Sequence, residues 1–233
     1  MLVTGHQPNY LPYPGFFAKI ARADLFIVVD NTQFVKRGRF GWIHRNRIKN
    51  GKSWGWLTVP VLTRGKFTQS IRETAIENST PWTRKHWRTI ELAYRKTPYF
   101  DVYAEELHAV YQRRWDWLWQ LNLELTRLIL KWLDISTPVK VASEIGIEGR
   151  ATDLVLDICR KTGANRYLSG VHGRDYLDCE RFDKEGIGLE FQDYQCPEYP
   201  QTPAEPFIAN LSTIDLLFNC GADSRRIISG TSD

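Results

Sequence analysis

The chain has 233 residues, 42% of them hydrophobic and 25% charged, with a formal net charge of +4 at pH 7. That composition excludes wholesale disorder, and the mild, dispersed positive charge suits an anionic small molecule, so no nucleic-acid partner is expected. The cysteines (Cys159, Cys179, Cys196 and Cys220) lack CxxC spacing, no signal-peptide pattern opens the chain, and no apolar run reaches the roughly 18 residues of a membrane span, so a reduced, cytoplasmic protein without a membrane span is expected.

Residues 1–5 form a short apolar start that can be a buried strand. Pro8, Pro12 and Pro14 then forbid a regular element over 9–15. A short helix over 16–23 and a buried strand over 25–30 (LFIVVD) follow, and strand, helix and strand within thirty residues suggest a right-handed parallel unit. Residues 31–52, polar and rich in Arg and Asn, read as a functional loop or hairpin. Residues 54–61 (WGWLTVPV) are a third strand candidate, with 70–76 able to pair nearby. Thr80 is placed as helix cap with Pro81 at the first helical position, and helices follow at 81–95, 99–113 and 115–133, broken by Thr97-Pro98. A short strand at 139–142, a helix over 151–162 stopped by Gly163, and strands at 166–169 and 189–194 come next. After a proline-rich arm at 197–206, Ser212 is placed as cap of a last helix over 213–219, ended by Gly221. The pattern predicts one α/β domain over 1–233, an open, mostly parallel sheet with a helical insertion at about 80–135.

Three stretches carry candidate chemistry. The first, Gly5 to Phe17, joins the first strand to the first helix, where ligands of open α/β sheets sit and where helix N–H groups face an anion. In it His6 is a candidate base or donor, with Gln7, Asn9 and Tyr13 as substrate contacts. The second starts at Asp30, which ends the second strand, and runs through Lys36, Arg37, Arg39, Trp42, His44, Arg45, Asn46, Arg47 and Lys49; its cations suit phosphate or carboxylate. The third is Ser169-Gly170-Val171-His172-Gly173, where a strand empties into a glycine loop open to close ligand approach. No GxSxG elbow is present, so a hydrolase nucleophile is not expected. Trp82, Lys85 and His86 open the middle helix, with Lys85 and His86 taken as further substrate contacts. The histidines lack ligand spacing, and no metal is expected.

These residues together resemble the WbqC-like family. The resemblance rests on His6 to Phe17, Asp30, Gln33, Arg45-Asn46-Arg47, Trp56-Leu57-Thr58-Val59-Pro60, Trp82 with Lys85-His86, Leu121-Asn122, Tyr167-Leu168-Ser169-Gly170, Tyr176-Leu177, Phe191 to Tyr194, and Ile214 to Asn219. The family's usual His-Pro appears here as Cys196-Pro197. The resemblance implies bacterial surface-polysaccharide (O-antigen) or specialised-metabolite biosynthesis, and transfer of glycine or another amino acid to a sugar amine. The element order is also similar to nucleotidyltransferase (HUP-like) domains, whose His-x-Gly-His loop falls here on Tyr13-Pro14-Gly15-Phe16.

The expected function is therefore an acyl- or aminoacyl-transferase, or a ligase, forming an amide on an amino-sugar. Its partner would be a small polar or nucleotide-linked substrate, and its cofactor a nucleotide such as ATP or a nucleotide-sugar. His6 would serve as base or oxyanion donor, oriented by Asp30, with Ser169 at the same crevice and Lys36, Arg45 and Arg47 on the anion. The alternative is a non-catalytic scaffold of a glycan-assembly pathway, which predicts a shallow aromatic surface near Trp82, Trp115 and Trp119. The enzyme reading places His6, Gln7, Asn9 and Tyr13 around the deepest polar pocket, reached by Arg45 and Asn46.

Overall fold

A computed structural model describes residues 1–38 and 41–230. Its centre is a five-stranded sheet of β1 (Leu2–His6), β2 (Leu25–Val28), β5 (Val139–Val141), β6 (Arg166–Ser169) and β7 (Gly188–Phe191), in the order β5-β2-β1-β6-β7. Every neighbouring pair is parallel. A parallel sheet needs cover on both faces, and the near-continuous apolar run of β2 is the sequence form of that requirement. One face packs Phe26 and Val28 against Phe16, Phe17 and the helices of the long excursion. The other packs Val3, Leu25, Ile27 and Val29 against Leu154, Ile158 and Phe182.

The chain first builds outward from β1 to β2 and β5, then returns to the other side of β1 with β6 and β7. The order of strand addition therefore reverses between β1 and β6, and a crevice opens there at the carboxyl ends. Helix α1 (Pro14–Ala21) crosses from β1 to β2, and α5 (Ala151–Thr162) from β5 to β6. Gly163 stops α5 in the left-handed conformation, as its sequence position predicts.

Between β2 and β5 the chain makes β3 (Arg45–Asn50) and β4 (Ser53–Thr58), then α2 (Trp82–Tyr94), α3 (Phe100–Gln112) and α4 (Leu118–Trp132). The expected third strand does not join the main sheet. β4 pairs antiparallel with β3 in a separate hairpin, and of its residues only Leu57 is buried, a pattern that no interior parallel strand could have. The 70–76 segment makes single bridges, Gln33 to Ser70 and Val61 to Ile76. Pro81, not Thr80, flanks α2, and no side chain caps that helix. The Ser212 hydroxyl likewise makes no cap bond to α7 (Thr213–Cys220). Two short helices, α6 (Cys179–Lys184) and α8 (Ser224–Ser229), had no sequence expectation. Among the described residues no helix is long and apolar enough to cross a membrane, and no cluster of three His, Cys, Asp or Glu could hold a metal.

Candidate functional site

The loop after β1 is fixed from several directions. Its backbone carbonyls point away from any regular partner, and side chains from distant elements satisfy them. Asn122 of α4 donates to Pro8 O at 2.8 Å and to Ile43 O at 2.7 Å. Asn46 of β3 donates to Leu11 O at 2.6 Å, and Thr213 of α7 gives both its amide and its hydroxyl to Pro12 O. Leu11 is held at φ 44°, a left-handed conformation that costs a branched residue about 1 kcal/mol or more and persists only where its surroundings enforce it. Tyr10 is wholly buried, with its hydroxyl between His86 Nδ1 and the Tyr111 hydroxyl.

This frame surrounds a cavity of about 380 Å³. β1 and its loop contribute His6, Gln7, Asn9 and Tyr13; the hairpin side contributes Trp42, Asn46 and Arg47; His172 follows β6, and Tyr194 and Asn210 follow β7. The position is the crevice between β1 and β6. A larger concavity of about 570 Å³ lies between the hairpin and α2, lined by Ile48, Lys49, Leu92 and Lys96 among others. It contains no histidine or carboxylate.

Two features give the smaller cavity chemical character. His6 Nδ1 lies 2.9 Å from Gln7 O. A carbonyl only accepts, so the neutral ring carries its proton on Nδ1 and leaves Nε2 with a free lone pair. Burial, and then the charge of Lys19, push the His6 pKa down to about 3, so the ring is neutral at pH 7. Lys19 is itself buried on α1, donates to Gly5 O at 3.1 Å, and is brought down to about 7 by burial. The second feature is Arg47. Its Nε is buried without a hydrogen-bond partner. One terminal nitrogen makes a long bond of 3.4 Å to Asn210 O, and no carboxylate pairs with it among the described residues. Desolvation lowers its pKa. A half-buried guanidinium whose Nε is left without a partner, and which has no counter-ion among the described residues, is an arrangement that a bound anion would relieve. Asn9, 7% exposed, adds an amide on the same wall.

Other candidate residues lie elsewhere. Asp30 is fully buried and accepts from Arg72 at 2.9 Å and from the Ser143 amide and hydroxyl. It ties β2 to the turn after β5 and is absent from the cavity wall. The Ser169 hydroxyl donates to Gly170 O at 3.1 Å and is packed under Gly173, where an added Cβ would strike it. Gly170 has open space where its Cβ would be, but it too is off the wall. Arg45 donates to Gly41 O and spreads over Trp56 instead of reaching the cavity. Lys36 is exposed and bonds Thr63; Arg39 lies outside the described residues. Lys85 is exposed, whereas His86 faces the core, where burial lowers its pKa to about 4. Of the three tryptophans expected on a scaffold surface, Trp82 and Trp115 are buried and Trp119 is half-buried under the Arg72 guanidinium.

A family model described as the WbqC-like protein family matches residues 7–227. The chain belongs to the WbqC-like family. It is also 36% identical over 220 residues to an uncharacterized protein of Mycobacterium tuberculosis, a match covering 94% of this chain and 93% of that one. No solved structure matches it. In this WbqC-like chain Cys196 is a thiol raised in pKa by burial. It accepts from the Asn210 amide at 3.5 Å and is unsuited to act as a nucleophile. Sequence reasoning passed over Lys19, Tyr194 and Asn210 as site residues. Lys19 had a signal, since it is the sole charge in the apolar helix PGFFAKIA. Asn210 had none, because its place depends on a left-handed turn (φ 58°) in an irregular arm.

Proposed function

We infer that the cavity at the β1–β6 crevice is the reaction site of an acyl- or aminoacyl-transferase, or an amide-forming ligase, acting on an amino-sugar or related metabolite. The setting is the surface-polysaccharide or specialised-metabolite context that the family resemblance implies. The observation that carries this reading is the pairing, in one cavity, of a neutral His6 with a free Nε2 and an Arg47 guanidinium lacking a counter-ion. Arg47 holds the anionic part of a substrate, a phosphate or carboxylate. His6 Nε2 accepts a hydrogen bond from the attacking amine and so aims the amine's lone pair at the acyl carbon; as the C–N bond forms, the amine's proton passes to the departing group. The bond from the acyl carbon to its leaving group then breaks, and that group departs with the electron pair and a proton. Asn9, on the same wall, donates to the oxyanion, and such donors are worth on the order of 10²–10³ in rate. The activated acyl donor is an acyl phosphate, acyl adenylate or thioester, the first two requiring ATP.

The test is incubation with ATP, glycine and a uridine-diphosphate-linked amino-sugar, followed by mass spectrometry. The expected product is the sugar plus glycine less one water, lost in a His6→Gln, Asn9→Ala variant that keeps its thermal stability. Undiminished product from that variant would overturn the assignment.

A further inference from the structure

The hairpin that delivers Arg47 to the cavity has a second face. In the β3–β4 register Arg47 sits opposite Trp56, and Arg45 opposite Thr58. Side chains alternate across a strand, so Asn46, Ile48 and Leu57 turn inward while Arg45, Arg47, Trp54 and Trp56 share the outer side. Trp54 is 39% exposed and Trp56 40% exposed, an expensive use of two indoles unless something covers them. Their centroids are 5.5 Å apart, and Trp42 lies 5.3 Å from Trp56. The Arg45 guanidinium stands 4.3 Å over Trp56, and Arg47 stands 5.2 Å from Trp54 and 5.5 Å from Trp42. Neither arginine has a carboxylate partner among the described residues. Trp42 and Arg47 also wall the cavity, so the aromatic face and the reaction site are continuous.

We propose that this outer face is a nucleotide platform: it receives the base and diphosphate of a nucleoside-diphosphate-linked substrate whose distal group enters the cavity at His6. The proposal rests on the cavity reading above and names its substrate class. The chemistry selects the ligand. A neutral sugar would use an indole without requiring two guanidiniums that lack carboxylate partners. A free amino acid would use Arg47 and leave Trp54 and Trp56 idle. A ligand that is both flat and anionic uses all of them, its base on indole faces and its diphosphate between Arg45 and Arg47. Arg47, shared by the two regions, is the hinge of the arrangement and holds the phosphate nearest the reacting group.

The experiment is isothermal titration of the protein with uridine diphosphate, adenosine diphosphate, uridine and pyrophosphate, without turnover. The diphosphates are expected to bind at least tenfold more tightly than uridine or pyrophosphate, because only they engage both parts. Trp56→Ala and Arg45→Gln are each expected to weaken them about tenfold, at the scale of one stacked base or one charged contact; Trp54→Ala supplies the same reading if Trp56→Ala unfolds. Pyrophosphate binding as well as uridine diphosphate, or tryptophan variants binding normally, would overturn the platform. So would tighter, steeply salt-dependent binding of an oligothymidylate, since the face would then serve single-stranded nucleic acid. Nucleotide binding without amide formation would refute the proposed reaction alone, and amide formation without nucleotide binding the platform alone.

Discussion

Lowering the pH from 7 to 5 is expected to destabilise the protein chiefly through histidines that are buried neutral. His44 is 3% exposed and His86 8% exposed, and burial depresses each to a pKa of about 4. His86 shows why protonation is resisted. Its ring is hydrogen-bonded to the Thr58 backbone, with Nε2 as the donor, and Nδ1 accepts from Tyr10 at 2.8 Å. A proton on Nδ1 would oppose the Tyr10 hydroxyl and reverse the chain on to Tyr111. The unfolded side chain titrates near 6.5, so between 6.5 and 4 the unfolded state binds a proton that the native state does not, and stability falls as pH falls. Each such histidine forfeits about 2 kcal/mol from pH 7 to 5, and His6 acts in the same direction. Asp215 opposes them: burial raises it to about 6, so its native protonation returns about 1 kcal/mol over the same interval. Urea unfolding of wild type and His86→Gln at both pH values isolates one histidine. The variant should lose about 2 kcal/mol less than wild type on acidification. Equal losses would refute the claim that His86 is held neutral by the fold.

Asn122→Ala should cost about 1–3 kcal/mol, because it orphans the Pro8 carbonyl and takes one of two donors from Ile43 O, which keeps the Tyr10 amide; hydrogen exchange at residues 8–12 should rise together with a lower urea midpoint. Gly15→Ala places a Cβ against the Tyr13 and Tyr194 rings, both on the cavity wall. Its expected signature is a loss of about 1–3 kcal/mol in unfolding free energy together with weaker ligand binding. Inorganic phosphate should raise the melting temperature of wild type, and Arg47→Met should abolish that rise; an unchanged rise would place the anion elsewhere.

The parallel sheet was legible because burial on both faces leaves a direct mark, as in LFIVVD of β2, and because Gly163 punctuates α5 without ambiguity. The loop after β1 was legible too, since three prolines beside polar residues fit no core strand. β4 misled because WGWLTVPV is apolar by composition, while its indoles point outward over arginines. For Asp30 and Ser169, the strand-end position was readable and the direction of the side chain was not. Asp30 is claimed by Ser143, 113 residues away, and Ser169 by the turn that folds over it. Arg45 and Arg47 look equivalent in sequence; the partners of the hairpin decide which one reaches the cavity. The six-residue helices α6 and α8 are too short to impose a period.

The strand order also constrains how the protein emerges from the ribosome. β1 is the central strand, and one side of it waits for Arg166 and Tyr167, which pair with Leu2 and Val3. At roughly 5–20 residues per second that partner is some ten to thirty seconds away. Until then β1 and β2 have an unpaired edge beside strongly apolar side chains, the arrangement most open to wrong pairing between nascent chains. The helices α2–α4 are complete well before β6 and can fold against α1 in the interval, covering one face of the waiting strands. Polar anchors such as Asn122 would then begin shaping the first loop while the other half of the sheet is still being synthesised.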